Sequence, residues 1–389
     1  MKKLAFVTPR YGPDIVGGAE TAARGLAEEL VKQGWHVEVW TTCAKNHMTW
    51  ENELAPGQTI NNGVVVRRYP ITLPIKSREN IFVPESSSLD IGEEISAHEY
   101  DWITYGPHCP EMYRHIGQHG PEFDVIVPIP YTIAAAHYAA WLYPERTIFW
   151  PCLHDEQYAY LEPSRLVLES VAGVIFNTPE EEELAVSRLH IEMRNRATLG
   201  CGVQPLAAQT INKQNQDIPH LLYVGRLEPA KNVPELYQFT QLYAERIGDI
   251  KLTVAGRGPS LPPPDIPYMN YCGFVTHEEK AKLYASSTAH WLPSVNESFS
   301  LVTLESWLAG RPTLVNQECG PPAGHVQRSK GGLAYGGFWE FAGAVQWLQE
   351  NPELANQMGQ NGKKYVERNY TWPVIAQRFE ALVEQWLDA

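Results

Sequence analysis

Leu4-Ala5-Phe6-Val7 is a short, wholly apolar run. A loop from Thr8 to Gly18 follows it, then a segment with Ala19, Ala22, Ala23, Leu26 and Leu30 on one helical face and a stop at Gly34. Val37, Val39 and Thr41 then alternate. Strand, helix and strand with such short connections predict a parallel sheet with helical crossovers. Apolar runs at Val125 to Ile129, Thr147 to Trp150 and Gly173 to Phe176 extend that sheet, and Thr178-Pro179-Glu180-Glu181 then fits a helix start with a capping Thr and Pro at the first position. A second series begins at His220-Leu221-Leu222-Tyr223-Val224-Gly225, with strands near Lys251 to Ala255, Ala289 to Leu292 and Thr313 to Val315. The polar stretch around Gln209, Asn212, Gln214 and Asn215 has little to bury and reads as a linker. The expected organisation is a first α/β domain over 1–203, a linker over 204–218, a second over 219–370, and a terminal helix over 371–389 with Ile375, Phe379, Leu382, Val383 and Trp386 on one face.

The 389 residues suffice for two hydrophobic cores. The formal charge of −14 argues against the phosphate backbone of a nucleic acid as a partner. Cys43, Cys109, Cys152, Cys201, Cys272 and Cys319 form no C-x-x-C pair, which fits a reducing cytosol. Neither a signal-peptide core nor an apolar run of membrane-spanning length is present, so the expected location is the cytoplasm. No basic amphipathic helix supports strong binding to a membrane, and at most a weak peripheral contact at its inner face is expected. Residues 45 to 123, rich in Pro, His, Tyr and Trp, read as insertions and loops on the functional edge of the first sheet.

The most specific chemical signal is Asn296-Glu297-Ser298-Phe299-Ser300-Leu301-Val302-Thr303-Leu304-Glu305, an E-x7-E string on a helix expected from Ser300 to Gly310, with Leu301, Leu304 and Leu308 buried. At such a helix start the N–H groups of Ser300 to Val302 lack intrahelical partners and suit an anion, with a carboxylate on either side to accept from hydroxyls. An ordinary helix with a surface Glu is the plain alternative. On a continuous helix, eight residues separate the two carboxylates by roughly 12 Å, wider than the roughly 5 to 9.5 Å of glycoside hydrolases. Arg226 and Lys231, in Val224-Gly225-Arg226-Leu227-Glu228-Pro229-Ala230-Lys231-Asn232, place two cations where a departing diphosphate needs them, although alone they also fit a solvated turn. Gly17-Gly18-Ala19-Glu20 lets a ligand approach a helix start, or merely makes a tight turn. His154-Asp155-Glu156 follows the strand ending at Trp150, where a His can orient a sugar hydroxyl or simply sit half-buried in a loop. No metal site is expected.

Taken in order, G-G-A-E, H-D-E, V-G-R-L-E-P-A-K-N, A-G-R-G-P (Ala255 to Pro259), G-F-V (Gly273 to Val275) and N-E-S-F-S-L-V-T-L-E resemble the retaining glycosyltransferases of family four, with the GT-B fold, over nearly the whole chain. The resemblance implies two Rossmann-like domains facing across a cleft, with a C-terminal helix crossing back to the first. It implies that Arg226 and Lys231 clamp the diphosphate after Gly225, that Glu305 takes the ribose hydroxyls and that Glu297 holds the donor sugar. Phe299, Ser300, Leu301 and Val302 would offer backbone N–H groups. Gly273, Phe274 and Val275 would line the base, and Gly17 and Gly18 would approach the diphosphate from the other domain. His154 would touch the sugar's 6-hydroxyl. The family's usual Lys-Gly is Lys231-Asn232 here, which keeps the charge and implies an altered turn. The implied reaction is metal-independent transfer, with retention, of a hexose from a UDP-sugar, glucose first and GDP-mannose as the other option, to a glycan or lipid-linked saccharide in polysaccharide or glycoconjugate synthesis. A sugar-nucleotide epimerase on the same architecture and a catalytically silent sugar-nucleotide-binding protein are the alternatives.

Overall fold

The computed structural model describes residues 1–15, 17–47, 49–72, 99–104, 106–204, 218–262 and 266–387, and of Ala230 the backbone only. The chain forms two compact units, Met1–Gly202 with Trp372–Ala389, and Val203–Thr371. Val203 and Thr371 thus count with the second unit, and Val203 N–H donates to Tyr370 O at 2.8 Å. Most of the expected linker, 205–217, lies outside the described residues.

In the first unit the strands are β1 (Lys3–Val7), β2 (His36–Thr42), β3 (Gly57–Asn61), β4 (Val64–Tyr69), β5 (Val125–Pro128), β6 (Ile148–Phe149), β7 (Gly173–Phe176) and β8 (Arg196–Thr198). They order as β3-β4-β2-β1-β5 and β6-β7-β8, and an Ile126–Thr147 bridge joins the two sets. All pairings are parallel except β3 with β4. Residues 45 to 123 are therefore not all loop: part of them is a hairpin and the helix Pro110–His119. The hairpin turns on Asn62 (φ 48°) and Gly63 (φ 83°), the two left-handed residues of a type I′ connection. The segment 73–98 lies outside the described residues.

Helix Gly18–Lys32 returns β1 to β2 and buries Ala22, Ala23, Leu26 and Leu30. The terminal helix Trp372–Leu387 completes this unit, burying Trp372, Ile375, Ala376, Phe379 and Val383. A Cβ at Gly25 would fall 1.9 Å from the Trp372 ring and one at Gly202 2.3 Å from it, so both glycines make room for that indole. Trp35 Nε1 donates to Glu380 at 2.7 Å.

The second unit contains β9 (His220–Val224), β10 (Lys251–Ala255), β11 (Met269–Gly273), β12 (Ala289–Leu292), β13 (Thr313–Asn316) and β14 (Gly332–Tyr335), all parallel in the order β11-β10-β9-β12-β13-β14. Counted from its own first strand this is 3-2-1-4-5-6, the dinucleotide-fold order, in which the crevice lies beyond the carboxyl ends where the winding reverses. Here that point lies between β9 and β12. Trp291, Tyr335 and Phe341 fill the core beneath it. Among the described residues no helix is long and apolar enough to cross a membrane. All six cysteines are free.

Candidate functional site

The sequence signals of the second unit converge on the reversal between β9 and β12. Three consecutive connections stack there. Gly225 N–H donates to Ala255 O at 3.0 Å, Leu227 N–H to Arg257 O at 2.9 Å, and Gly256 N–H to Gly273 O at 2.8 Å. A Cβ on Gly256 (φ +151°) would sit 1.8 Å from Gly225 O, and one on Gly258 (φ +155°) 2.3 Å from Leu227 O. The A-G-R-G-P glycines are therefore close-approach positions that let the Gly225–Leu227 turn lie flat against the next loop. That turn leads into Lys231 and then Asn232, which adopts the left-handed conformation at φ 53°, ψ 34°. Asn is the residue after Gly that best tolerates this conformation. Its side chain adds bonds that glycine lacks, to Glu235 Oε2 (2.9 Å) and to Pro293 O at the end of β12 (3.2 Å).

Helix Leu301–Leu308 begins after Ser300, itself left-handed at φ 69°, and no side chain caps its first turn. It ends in a Schellman motif, with Gly310 N–H to Trp307 O (2.8 Å) and Arg311 N–H to Ser306 O (2.9 Å). The buried face is Thr303, Leu304, Ser306 and Trp307, while Leu301 and Leu308 are only part-buried, contrary to expectation. Trp307 takes over the packing, because a Cβ on Gly362 of a neighbouring helix would fall 2.2 Å from the indole, and its absence leaves room for the ring. The break at Ser300 also means that helical rise does not measure the distance from Glu297 to Glu305.

Each carboxylate of the motif is held by a lysine from another element. Lys231 Nζ lies 2.8 Å from Glu297 Oε1, with 17% and 14% of the two side chains exposed. Lys280 Nζ lies 2.5 Å from Glu305 Oε1, with 18% and 13% exposed. Tyr284 OH, fully buried, reaches Glu305 Oε2 at 3.4 Å and donates to Val302 O at 3.0 Å. Arg226 is exposed and pairs with Glu228 at 3.1 Å. Phe299 packs its ring edge-on against His325 and Tyr370, so only its backbone faces the site. In the Gly273–Val275 loop Gly273 is left-handed (φ +65°), Val275 joins the core, and exposed Phe274 lies 5.5 Å beneath the Arg257 guanidinium.

The structure places Gly17, Gly18 and His154 in the first unit, at the carboxyl edge of its sheet. A Cβ on Gly17 would lie 2.0 Å from Glu20 Oε2, because Glu20 folds back to form a buried pair with Arg10 (2.5 Å). Gly17 is thus demanded by its own helix start, whereas nothing lies within 4 Å of a Cβ on Gly18. His154 is about one-third exposed, its Nδ1 3.7 Å from Glu156 Oε1, which accepts from Tyr131 OH at 2.7 Å. Asp155 is paired with Arg188. The loop is fixed from below by Glu181, which accepts from the N–H of Leu153 and, at 2.6 Å, from that of Asn177. Burial pushes its carboxyl up to about 8 against the pull of those bonds. Among the described residues no group of three or more His, Cys, Asp or Glu is placed to hold a metal.

Two contributors had no signal in the sequence. Lys280 sits in Glu278-Glu279-Lys280-Ala281-Lys282, where Lys282 makes the ordinary exposed pair with Glu278 and nothing marks Lys280 as different. Glu181 reads as a helix-start residue, and its reach to Leu153 depends on the parallel pairing of β6 and β7.

Comparison with known proteins agrees with this geometry. Residues 218–351 match the family model for glycosyl transferases group 1. The chain is 27% identical to an uncharacterised glycosyltransferase of Methanocaldococcus jannaschii, over 96% of both proteins. The sucrose-phosphate synthase of Thermosynechococcus elongatus superposes with a TM-score of 0.73 at 18% identity, over 99% of both chains. HepE of Anabaena, solved with UDP-glucose, superposes with a TM-score of 0.70 at 15% identity, covering 99% of this chain and 100% of that one. Family model, relative and fold together support reading the chain as a GT-B glycosyltransferase of the family-four type.

Proposed function

We propose that the protein is a retaining hexosyltransferase that moves glucose from UDP-glucose to a hydroxyl of a glycan or lipid-linked saccharide, as a step in polysaccharide or glycoconjugate synthesis. The observation that carries this reading is the pair of lysine-held carboxylates, Lys231–Glu297 and Lys280–Glu305, at the reversal of a 3-2-1-4-5-6 sheet. UDP-glucose as donor is supported by the structural neighbour solved with that molecule.

In the proposed reaction the acceptor oxygen attacks the anomeric carbon from the face that the diphosphate leaves. The new C–O bond forms as the bond to the β-phosphate oxygen breaks, and a phosphate oxygen takes the acceptor's proton. The chain's own work is electrostatic: Lys231, Arg226 and the uncapped helix start after Ser300 stabilise charge growing on the diphosphate. Glu297 accepts from hydroxyls of the sugar and fixes its orientation, and His154 serves the 6-hydroxyl. These cations supply the electrophilic aid, so transfer is proposed to need no metal.

The test is release of UDP from UDP-glucose over a panel of saccharide acceptors, with NMR assignment of the new linkage and a parallel assay in excess chelator. An α-linked product formed at full rate with chelator is expected. A β-linked product refutes retention. Activity abolished by chelator and restored by a divalent ion refutes the metal-free step, and formation of a new sugar nucleotide without acceptor replaces the reading with an epimerase.

A further inference from the structure

We infer that Lys280 is a second ligand for the ribose of the donor, acting beside Glu305; this rests on the donor reading above and extends it. Helix His277–Ser286 is launched by a capping box, in which Thr276 and Glu279 satisfy each other's backbone N–H groups immediately after the Gly273–Val275 loop. The box fixes the direction of the first turn, and Lys280 leaves that turn toward the site while Lys282 points to solvent (18% against 58% exposed).

The chemistry of the pair matches a vicinal diol. A carboxylate only accepts, through about four lone-pair positions, and an ammonium only donates, through three N–H bonds. In this pair Lys280 spends one donor on Glu305 Oε1, and Tyr284 OH lies near Oε2. Both groups therefore keep unspent capacity of opposite kind side by side. Each ribose hydroxyl is at once donor and acceptor, so a cis-diol can give to Glu305 and receive from Lys280. The pairing also cancels the charge of Glu305, which would otherwise repel a ligand carrying a diphosphate. A 2′-deoxyribose leaves one of these part-buried groups unmatched, the situation in which polar sites discriminate most strongly.

The experiment is calorimetric titration of UDP and 2′-deoxy-UDP into wild-type protein, Lys280→Met, which keeps the aliphatic stem, and Lys280→Gln. Wild type should prefer UDP by roughly tenfold to a hundredfold, the span of one hydrogen bond to a charged group. In Lys280→Met the preference should fall to within about threefold, with Lys280→Gln recovering part of it as a neutral donor. Because the preference is a ratio within one variant, loss of some folded protein does not disturb it. Equal weakening of both nucleotides, or an unchanged preference, overturns the role of Lys280 while leaving the donor site intact. Failure of the wild type to bind UDP, GDP or ADP removes the donor reading itself, and the inference with it.

Discussion

Asn232 stands where glycine is expected, and the structure allows the cost of changing it to be worked out. In Asn232→Gly the left-handed conformation is retained without strain, but the bonds to Glu235 and Pro293 are lost. At a net ~1 kcal/mol per hydrogen bond this is about 2 kcal/mol at most. Asn232→Ala loses the same bonds and adds ~1–2 kcal/mol for a Cβ in the left-handed region. It regains ~0.4–1 kcal/mol relative to glycine from a stiffer unfolded chain. At the midpoints of these ranges alanine is therefore expected to be worse than glycine by about 0.8 kcal/mol, the reverse of the usual order at an unconstrained site. For a unit of this size that is a gap of about 1–4 °C, with both variants below wild type. Differential scanning calorimetry reads it on the transition that nucleotide binding shifts. An alanine variant as stable as the glycine one, or more so, would show that position 232 is not held in the left-handed conformation.

Three further outcomes follow from the same geometry. Lys231→Ala should lower kcat about a hundredfold to a thousandfold, as loss of one preorganised electrophile does, and leave Glu297 unpaired; steady-state kinetics showing less than a threefold loss would make the pair purely structural. Glu181 has a folded pKa near 8, above the usual carboxyl range, so its contribution favours the fold at low pH and is lost as pH rises through about 8. Urea unfolding of the first unit should then lose stability between about pH 5 and 8 by up to ~1.4 kcal/mol per pH unit, and a Glu181→Gln profile with the same slope would contradict it. Gly25→Ala should force the Trp372 ring aside and cost roughly 1–3 kcal/mol, seen as easier proteolysis of the terminal helix; unchanged protection would mean that the helix seats differently.

What the sequence disclosed was what local pattern encodes. The Leu4–Thr41 strand-helix-strand unit, the Thr178 cap and the second strand series depend on neighbours in the chain, and the structure has them at or within a few residues of the expected places. The β3–β4 hairpin escaped because Gln58, Thr59 and Ile60 are exposed and lack the apolar alternation of a half-buried strand. The E-x7-E string was legible as spacing, but its buried face was not, because Trp307 is chosen by Gly362 on a distant helix. Lys280 was not legible at all: its meaning arises only when β11 and β12 are in one sheet and bring Lys280 and Glu305 together.

The seating of the Trp372–Leu387 helix on the unit that begins with β1 has a consequence for biosynthesis. The ribosome completes the first unit's sheet long before it makes the helix that covers Gly25, Gly173 and Gly202, since all of Val203–Thr371 is synthesised in between. The nascent first unit must therefore wait with an open apolar groove while the second unit, contiguous in the chain, can fold as it emerges. The later unit is expected to reach its native state first, and the earlier one to close around the helix made after it.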